Sequence, residues 1–464
     1  MYKAHITLGV APTKRERLPI GPALEQKNRL MAVISKIKPE NITLVTLDEL
    51  CPDGIFCRPD EVPSIVERFR LAGIDGLFIP FMDFGEEGAV LELYKAFQGI
   101  PLLIWGGRDE APNTYEKRGR DCQCGMLAAT RILRRMGATY SYIHSCFAED
   151  DDFAKGYETF ARAVNVVREI THLKLARIGN RPQPFVSVMG NESALIEKFG
   201  MVTENIPVFH ITQRAEKIME EDGGEYQAYL HDLQSRYDMS AITPTEQRKV
   251  AAIKIATQQI LQEHGCQAAA MQCWPVFVEL IGIRPCLTLG EMSAERIPIA
   301  CECDLNGAVT LVMLRACALG ENLTFFADVT VRHPENDNAG LLWHCGQFPY
   351  QLKDPDSKAR IVEGRQVFKL CGSDAVTVAR FEECRGEYYL FCGQGKTTDG
   401  PDTTCTYTWI EVEHWRQWEE KLIFGPYIHH VGCVYGSYSD ALREASRYLG
   451  LRFDRPEDGE VRSL

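Results

Sequence analysis

Residues 299–310 read IACECDLNGAVT. An apolar run, RIPIAC, leads into two carboxylates, Glu302 and Asp304. Asn306, Gly307 and a stretch of helical spacing follow, ending at Gly320. A carboxylate at what reads as the buried end of a strand is costly unless a cation, a metal or hydrogen bonds compensate it. The next apolar segment, ENLTFFADVT, reads as a strand with Asp328 near its end. Strand, helix and strand in that order predict two parallel strands of one sheet. Their C-terminal ends, carrying Glu302 and Asp328, then fall on the same side. A pair of like charges converging in a crevice is stabilised by a divalent cation.

Histidine supplies the second clue. The chain has 11, and three stand in short motifs that read as turns: His344 in LLWHCGQFP, and His429 and His430 in GPYIHHVGCVYG. Imidazoles together with carboxylates suit Mn²⁺, Fe²⁺, Co²⁺ or Zn²⁺ better than Mg²⁺ alone. Plainer readings stand beside this one. Glu302 could form a salt bridge at a domain junction, His344 could be a satisfied core histidine beside Trp343, and Asp328 could shape a turn.

Working outward, the first third alternates strand runs (AHITLGV, NITLVTL, DGLFIPF, IPLLIWGG) with amphipathic stretches such as EVPSIVERFRLAG. Helices near 124–136 and 152–167 flank a further strand, TYSYIHSC. The rhythm restarts after Leu173, with PFVSVMG, IPVFHIT and AAAMQCW as strands and a helix over about 245–264. From residue 323 the texture turns to β-rich segments divided by Gly, Asp and Asn. The helix SYSDALREASRYLG closes the chain, with Ser439 as N-cap and Gly450 as stop. The expected fold is α/β: two doubly wound α/β domains, 1–170 and 171–322, and a mostly β domain of barrel or sandwich type, 323–464.

Composition narrows the partners. A length of 464 residues exceeds one core, and 45% hydrophobic with 25% charged residues is a globular mix. A net charge of −13 argues against nucleic acid as the main partner. The start MYKAHITLGVAP reads as a strand with no signal-peptide pattern, and no apolar run has transmembrane length, so neither export nor a membrane is expected. Seventeen scattered cysteines read as small buried hydrophobes in a reducing cytoplasm. The pairs Cys122/Cys124 and Cys301/Cys303 have C-x-C spacing, which is not that of a zinc knuckle.

ACECDLNG, the spacing on to FFADVT, then WHCG and the late HHVGCVYG resemble the L-fucose isomerase/L-arabinose isomerase family, closest to its fucose-isomerase-like branch. The resemblance is sharpest over residues 268–346 and 424–436. It implies a Mn²⁺-type metal between the second and third domains, held by Glu302, Asp328 and His430. His430 is preferred to His429 for its distance from the following Tyr-Gly. His344 matches a further ligand or substrate contact, and Trp343, Asn306 and Trp274 are the side chains that would flank the sugar. The family implies fucose- or arabinose-like sugars, or sulfonated hexoses such as sulfoquinovose. For an anionic sugar, Arg108, Arg118 and Arg120 are candidates contributed across a subunit contact, against the plainer reading of a solvated loop. A homo-oligomer, trimer or hexamer, is also implied.

Aldose–ketose interconversion by an enediol needs a base at C2 and an acid at the carbonyl oxygen, roles open to Glu302 and Asp328. A hydride shift is the rival route. No nicotinamide is needed, in keeping with βα turns that lack G-x-G-x-x-G. A different class, a non-catalytic sugar-binding or regulatory protein using Trp105 and Trp274, needs no metal between two acids. Glycoside hydrolysis by an acid pair would explain neither the late histidine nor the α/β rhythm.

Overall fold

A computed structural model of the chain describes residues 2–37, 40–110 and 119–458. The chain divides into two compact units: residues 3–168 with 447–449, and residues 169–446 with the two chain ends. The first unit is built on a five-stranded parallel sheet. Its order is Ile42–Val45, Ile6–Val10, Gly76–Phe81, Leu102–Gly106, Ser141–Tyr142. Gly76–Phe81, the segment GLFIPF, is buried at every position, which is why its apolar run is continuous rather than alternating. The expected strand TYSYIHSC pairs only through Ser141 and Tyr142.

The second unit holds two sheets. One is parallel and four-stranded, ordered Val202–Ile206, Lys174–Ile178, Ala268–Met271, Ile299–Cys301. In both parallel sheets the strand order reverses beside the first strand, the doubly wound pattern that opens a crevice at the C-terminal strand ends. The other sheet has nine strands, mostly antiparallel. Six of them close into a ring: Thr324–Arg332, Ala339–His344, Thr406–Glu411, Glu387–Thr398, Val376–Cys384 and His430–Tyr435. The fold is therefore mixed α/β with parallel-sheet domains and a C-terminal antiparallel barrel.

Several local expectations need correcting. PFVSVMG is not a strand; only a 3₁₀ turn, Val186–Val188, forms there. In IPVFHIT the strand ends at Ile206 and a helix, Val208–Glu221, begins after Pro207. Val208, Ile211, Thr212, Ala215 and Ile218 are its buried residues, a 3.6-residue period that a short apolar window hides. Ser439 is the first helical residue rather than the cap, while Gly450 stops the helix with φ 63°. Among the described residues no helix is long and apolar enough to cross a membrane.

The most consequential correction concerns Glu302 and Asp328. Their strands are not parallel neighbours: Ile299–Cys301 edges the four-stranded sheet, whereas Thr324–Arg332 lies in the barrel. The helix between them, Leu305–Cys317, is buried at all of its residues and packs against strands of both sheets. A helix apolar on every side is one enclosed on every side. At its first turn a Cβ on Gly307 would stand 2.5 Å from the Phe326 ring and 2.8 Å from Asp304, so the helix reaches the barrel only because residue 307 is glycine.

Candidate metal centre

Convergence is achieved by a different geometry from the one the spacing suggested. Asp328 lies within its strand, directly opposite His430 on the antiparallel neighbour. Residues opposed in this way present their side chains to the same face. His430 opens a strand and His344 ends one, so neither motif is a free turn. Glu302 reaches the pair from the other sheet. Its φ of 61° and the 57° of Cys303 are both left-handed, a conformation that costs non-glycine residues about 1–3 kcal/mol each and that surrounding structure must enforce.

The result is a tight cluster. His430 Nε2 stands 3.0 Å from Glu302 Oε2 and 3.5 Å from Asp328 Oδ1, and His344 Nε2 stands 3.7 Å from the same Asp328 oxygen. Yet among the described residues Asp328 Oδ1, His344 Nε2 and His430 Nε2 are buried without an aligned hydrogen-bond partner. Unpaired buried polar atoms are expensive, and three aimed at one point call for a shared partner. Donor atoms about 2.1 Å from one cation and roughly at right angles stand about 3 Å apart, close to the spacings here. Glu302, His344 and His430 form one group whose ligand atoms lie within 4.8 Å of one another, and Asp328, His429 and His430 form another. Two carboxylates and two or three imidazoles fit a Mn²⁺-type ion.

Electrostatics agree with the geometry. Burial disfavours the His430 imidazolium, but Asp304 and Glu302 outweigh it and raise its pKa to about 9. For His344 burial is likewise overcome, chiefly by Asp328, and the pKa rises to about 10. Burial would raise the Glu302 carboxyl, but His430, His344 and Trp274 hold it below its ordinary value. The cluster is thus an excess of negative charge that binds protons and would equally bind a metal.

Behind it lies a buried scaffold. Asp304 caps the helix by accepting from the Gly307 N–H at 2.8 Å, and its Oδ2 stands 2.9 Å from His430 Nδ1. Arg380, with no exposed surface, donates to both oxygens of Asp304 and, from Nε and Nη2, to Glu382 at 3.0 and 2.6 Å. Although Asp304 is fully buried, Arg380 and His430 keep its carboxyl well below the usual range. Fixing the far nitrogen of a ligand histidine sets its tautomer and ring orientation.

The other residues singled out in the sequence are placed as follows. Trp274 donates its indole N–H to Glu302 Oε1 at 3.0 Å, beside the cluster. Asn306 is buried and donates to Glu382 at 2.5 Å, so its amide serves the scaffold rather than a sugar. Trp343 joins Leu341, Tyr407 and Trp409 and donates to the Thr404 carbonyl at 2.6 Å, because it alternates with His344 along the strand. His429 is exposed and His430 fully buried. Arg108 belongs to the first unit, exposed with its guanidinium 5.7 Å from the Phe147 ring. Arg120 is no solvated loop charge; it is buried and paired with Asp109 and Glu110. Arg118 lies outside the described residues.

Sequence reading missed Phe185, whose ring centroid is 5.7 Å from Trp274 and 6.4 Å from His430. It also missed Arg380 and Glu382. Their signal was present: both share strand parity with Val376 and Val378 in AVTVARFE, which places two charges in a row of apolar positions.

Known proteins resemble the chain as follows. A family model described as "Fucose/sulfoquinovose isomerase, N-terminal domain" matches residues 9–171. The sulfoquinovose isomerase of Priestia megaterium is 24% identical over 417 residues, 87% of this chain and 90% of that protein. That of Clostridium sp. (strain MSTE9) is 24% identical over 426 residues, 88% and 92%. That of Alkalicoccus urumqiensis is 23% identical over 307 residues, 65% and 66%. The chain is thus similar to fucose/sulfoquinovose isomerases, over its N-terminal third by the family model and over most of its length by the sulfoquinovose isomerases.

Proposed function

We propose that the chain is a metal-dependent aldose–ketose isomerase acting through an enediol. Its substrate is a sulfonated hexose such as sulfoquinovose, for which its relatives are named, or a neutral sugar of the fucose or arabinose type. One observation carries the reading: buried Asp328 Oδ1, His344 Nε2 and His430 Nε2, none with an aligned hydrogen-bond partner, converge beside Glu302. A sugar-binding protein has no need of such a group.

Glu302, Asp328 and His430 would hold the ion, with His344 completing the set. When bound, a divalent cation of the Mn²⁺ class (Co²⁺, Fe²⁺ and Zn²⁺ are the alternatives) supplies Lewis-acid stabilisation of the negative charge that develops on the sugar oxygens. The chain does the rest. Glu302, kept anionic by its imidazole neighbours and held by Trp274, takes the proton from C2 and returns it to C1. Asp328, on the opposite strand to His430, exchanges the proton on the sugar oxygen. Asp304 and Arg380 fix the His430 ring so that it does not turn away. Phe185 and Trp274 give the sugar an apolar wall and exclude water from that side.

The cysteines of the described residues form no disulfide, which suits a reducing cytoplasm. A homo-oligomer is expected from the family and is tested by light scattering. The activity itself is tested by following ketose formation from sulfoquinovose, L-fucose, D-arabinose and L-arabinose with Mn²⁺, each repeated after EDTA. Metal-dependent turnover of one sugar supports the reading and names its substrate; silence across the set with metal bound would move it to a binding role.

A further inference from the structure

Four thiols stand against the inner side of the candidate centre. Cys301 ends the edge strand next to Glu302, and Cys345 follows His344. Cys273 Sγ is 2.9 Å from Cys301 Sγ, and Cys286 Sγ is 3.8 Å from Cys345 Sγ. Cys301, His344 and Cys345 place their ligand atoms within 4.8 Å of one another. Buried cysteines elsewhere in the chain behave as small hydrophobes: Cys433, for example, simply fills the barrel wall. This group differs because its sulfurs face each other.

The spacing has a chemical meaning. Two thiolates on one tetrahedral ion with bonds of about 2.3 Å have sulfurs roughly 3.8 Å apart, within the 4.8 Å that spans the ligand atoms of Cys301, His344 and Cys345. The surroundings add to it. Cys286 and Cys301 are buried and Cys345 is half-buried. In so dry a place a dication is accommodated when two thiolates cancel its charge. Thioether and thiolate sulfur select soft ions, whereas the oxygen-rich cluster across His344 selects harder ones.

We propose that Cys301, Cys345 and His344 form a second site that takes a thiophilic divalent cation of the zinc or cadmium class. On binding, the Cys301 and Cys345 thiols and the His344 imidazolium each release a proton to solvent, and both sulfurs and the ring nitrogen bond the ion; no electron is transferred. Because His344 belongs to both groups, a soft ion here withdraws it from the oxygen-rich centre. This consequence for activity rests on the isomerase reading, whereas binding of the soft ion does not.

The test is a cadmium titration of the full-length, EDTA-treated protein, read by the ultraviolet absorption of thiolate-to-metal charge transfer. A band that saturates at one ion per chain is expected. Cys345→Ser and Cys301→Ser should each weaken cadmium binding at least tenfold and diminish the band, while Glu302→Gln leaves the band in place. Absence of the band, or a band unaltered in both serine variants, overturns the site. Should either serine variant fail to fold, X-ray absorption of cadmium on the unmodified protein decides instead. Sulfur neighbours support the site, and a shell of oxygen and nitrogen alone refutes it. If the protein proves to have no isomerase activity, the cadmium result still stands or falls by itself.

Discussion

Asp328 and His430 oppose each other residue for residue across two antiparallel barrel strands, with His430 Nε2 3.5 Å from Asp328 Oδ1. That register, rather than a shared parallel sheet, brings a carboxylate and an imidazole together. It also leaves room for Glu302 to arrive from the other sheet. A one-residue slip would turn one partner to the opposite face and dissolve the cluster.

Replacing Glu302 with Gln keeps the shape and the hydrogen bond to Trp274 but removes the negative charge. Turnover is expected to fall by about 10²–10⁴-fold, the usual contribution of general acid–base catalysis. Circular dichroism should remain that of the parent. Substantial residual turnover in a folded Glu302→Gln protein would remove this residue from the chemistry.

Asp304 acts through His430. Asp304→Asn is expected to cost roughly 10–100-fold in manganese affinity or activity, as the loss of a partner behind a ligand histidine does. Equilibrium dialysis with Mn²⁺ reads it directly. An unchanged affinity would mean that packing alone orients the ring.

Arg380 is fully buried between Asp304 and Glu382. Removing one member of a buried charged network strands the others, so Arg380→Met should destabilise the fold by about 3–5 kcal/mol. Urea unfolding measures this. A loss below about 1 kcal/mol would show that the acids find protons or water at little cost.

Metal binding should be pH-dependent with a definite sign. His430 and His344, with pKa values raised to about 9 and about 10, carry protons in the metal-free protein at neutral pH. A cation has to displace them, so affinity rises as pH increases and protons are released on binding. Calorimetry at one pH in buffers of different ionisation enthalpy counts the protons. Affinity that falls with rising pH below about 9 would contradict the ligand set.

The unequal legibility of the sequence has physical causes. The strand–helix rhythm of the first unit and the β-rich third are visible because each strand is an isolated apolar run between punctuating residues. Glu302, Asp328 and His430 were visible as charges at apolar segment ends. Residues 184–190 and 206–212 were misread because Phe185 and the Val208–Glu221 helix sit in windows too short to tell period 2 from period 3.6. The relation of Glu302 to Asp328 was misplaced because the chain leaves one sheet and enters another through a helix buried on all sides, and spacing alone cannot show that change. Asn306 and Trp343 were assigned to a sugar by their neighbours in sequence, whereas backbone direction turns Asn306 to Glu382 and Trp343 to the Leu341–Tyr407–Trp409 cluster.

The most direct test of the central claim is sulfoquinovose isomerisation by the manganese-loaded protein, compared with the same protein after EDTA and after manganese is restored. Neutral aldoses serve as parallel substrates. Ketose formation that disappears with the metal and returns with it is the predicted result. Turnover indifferent to EDTA, or no turnover of any aldose while manganese is bound in a Glu302-dependent manner, would contradict it.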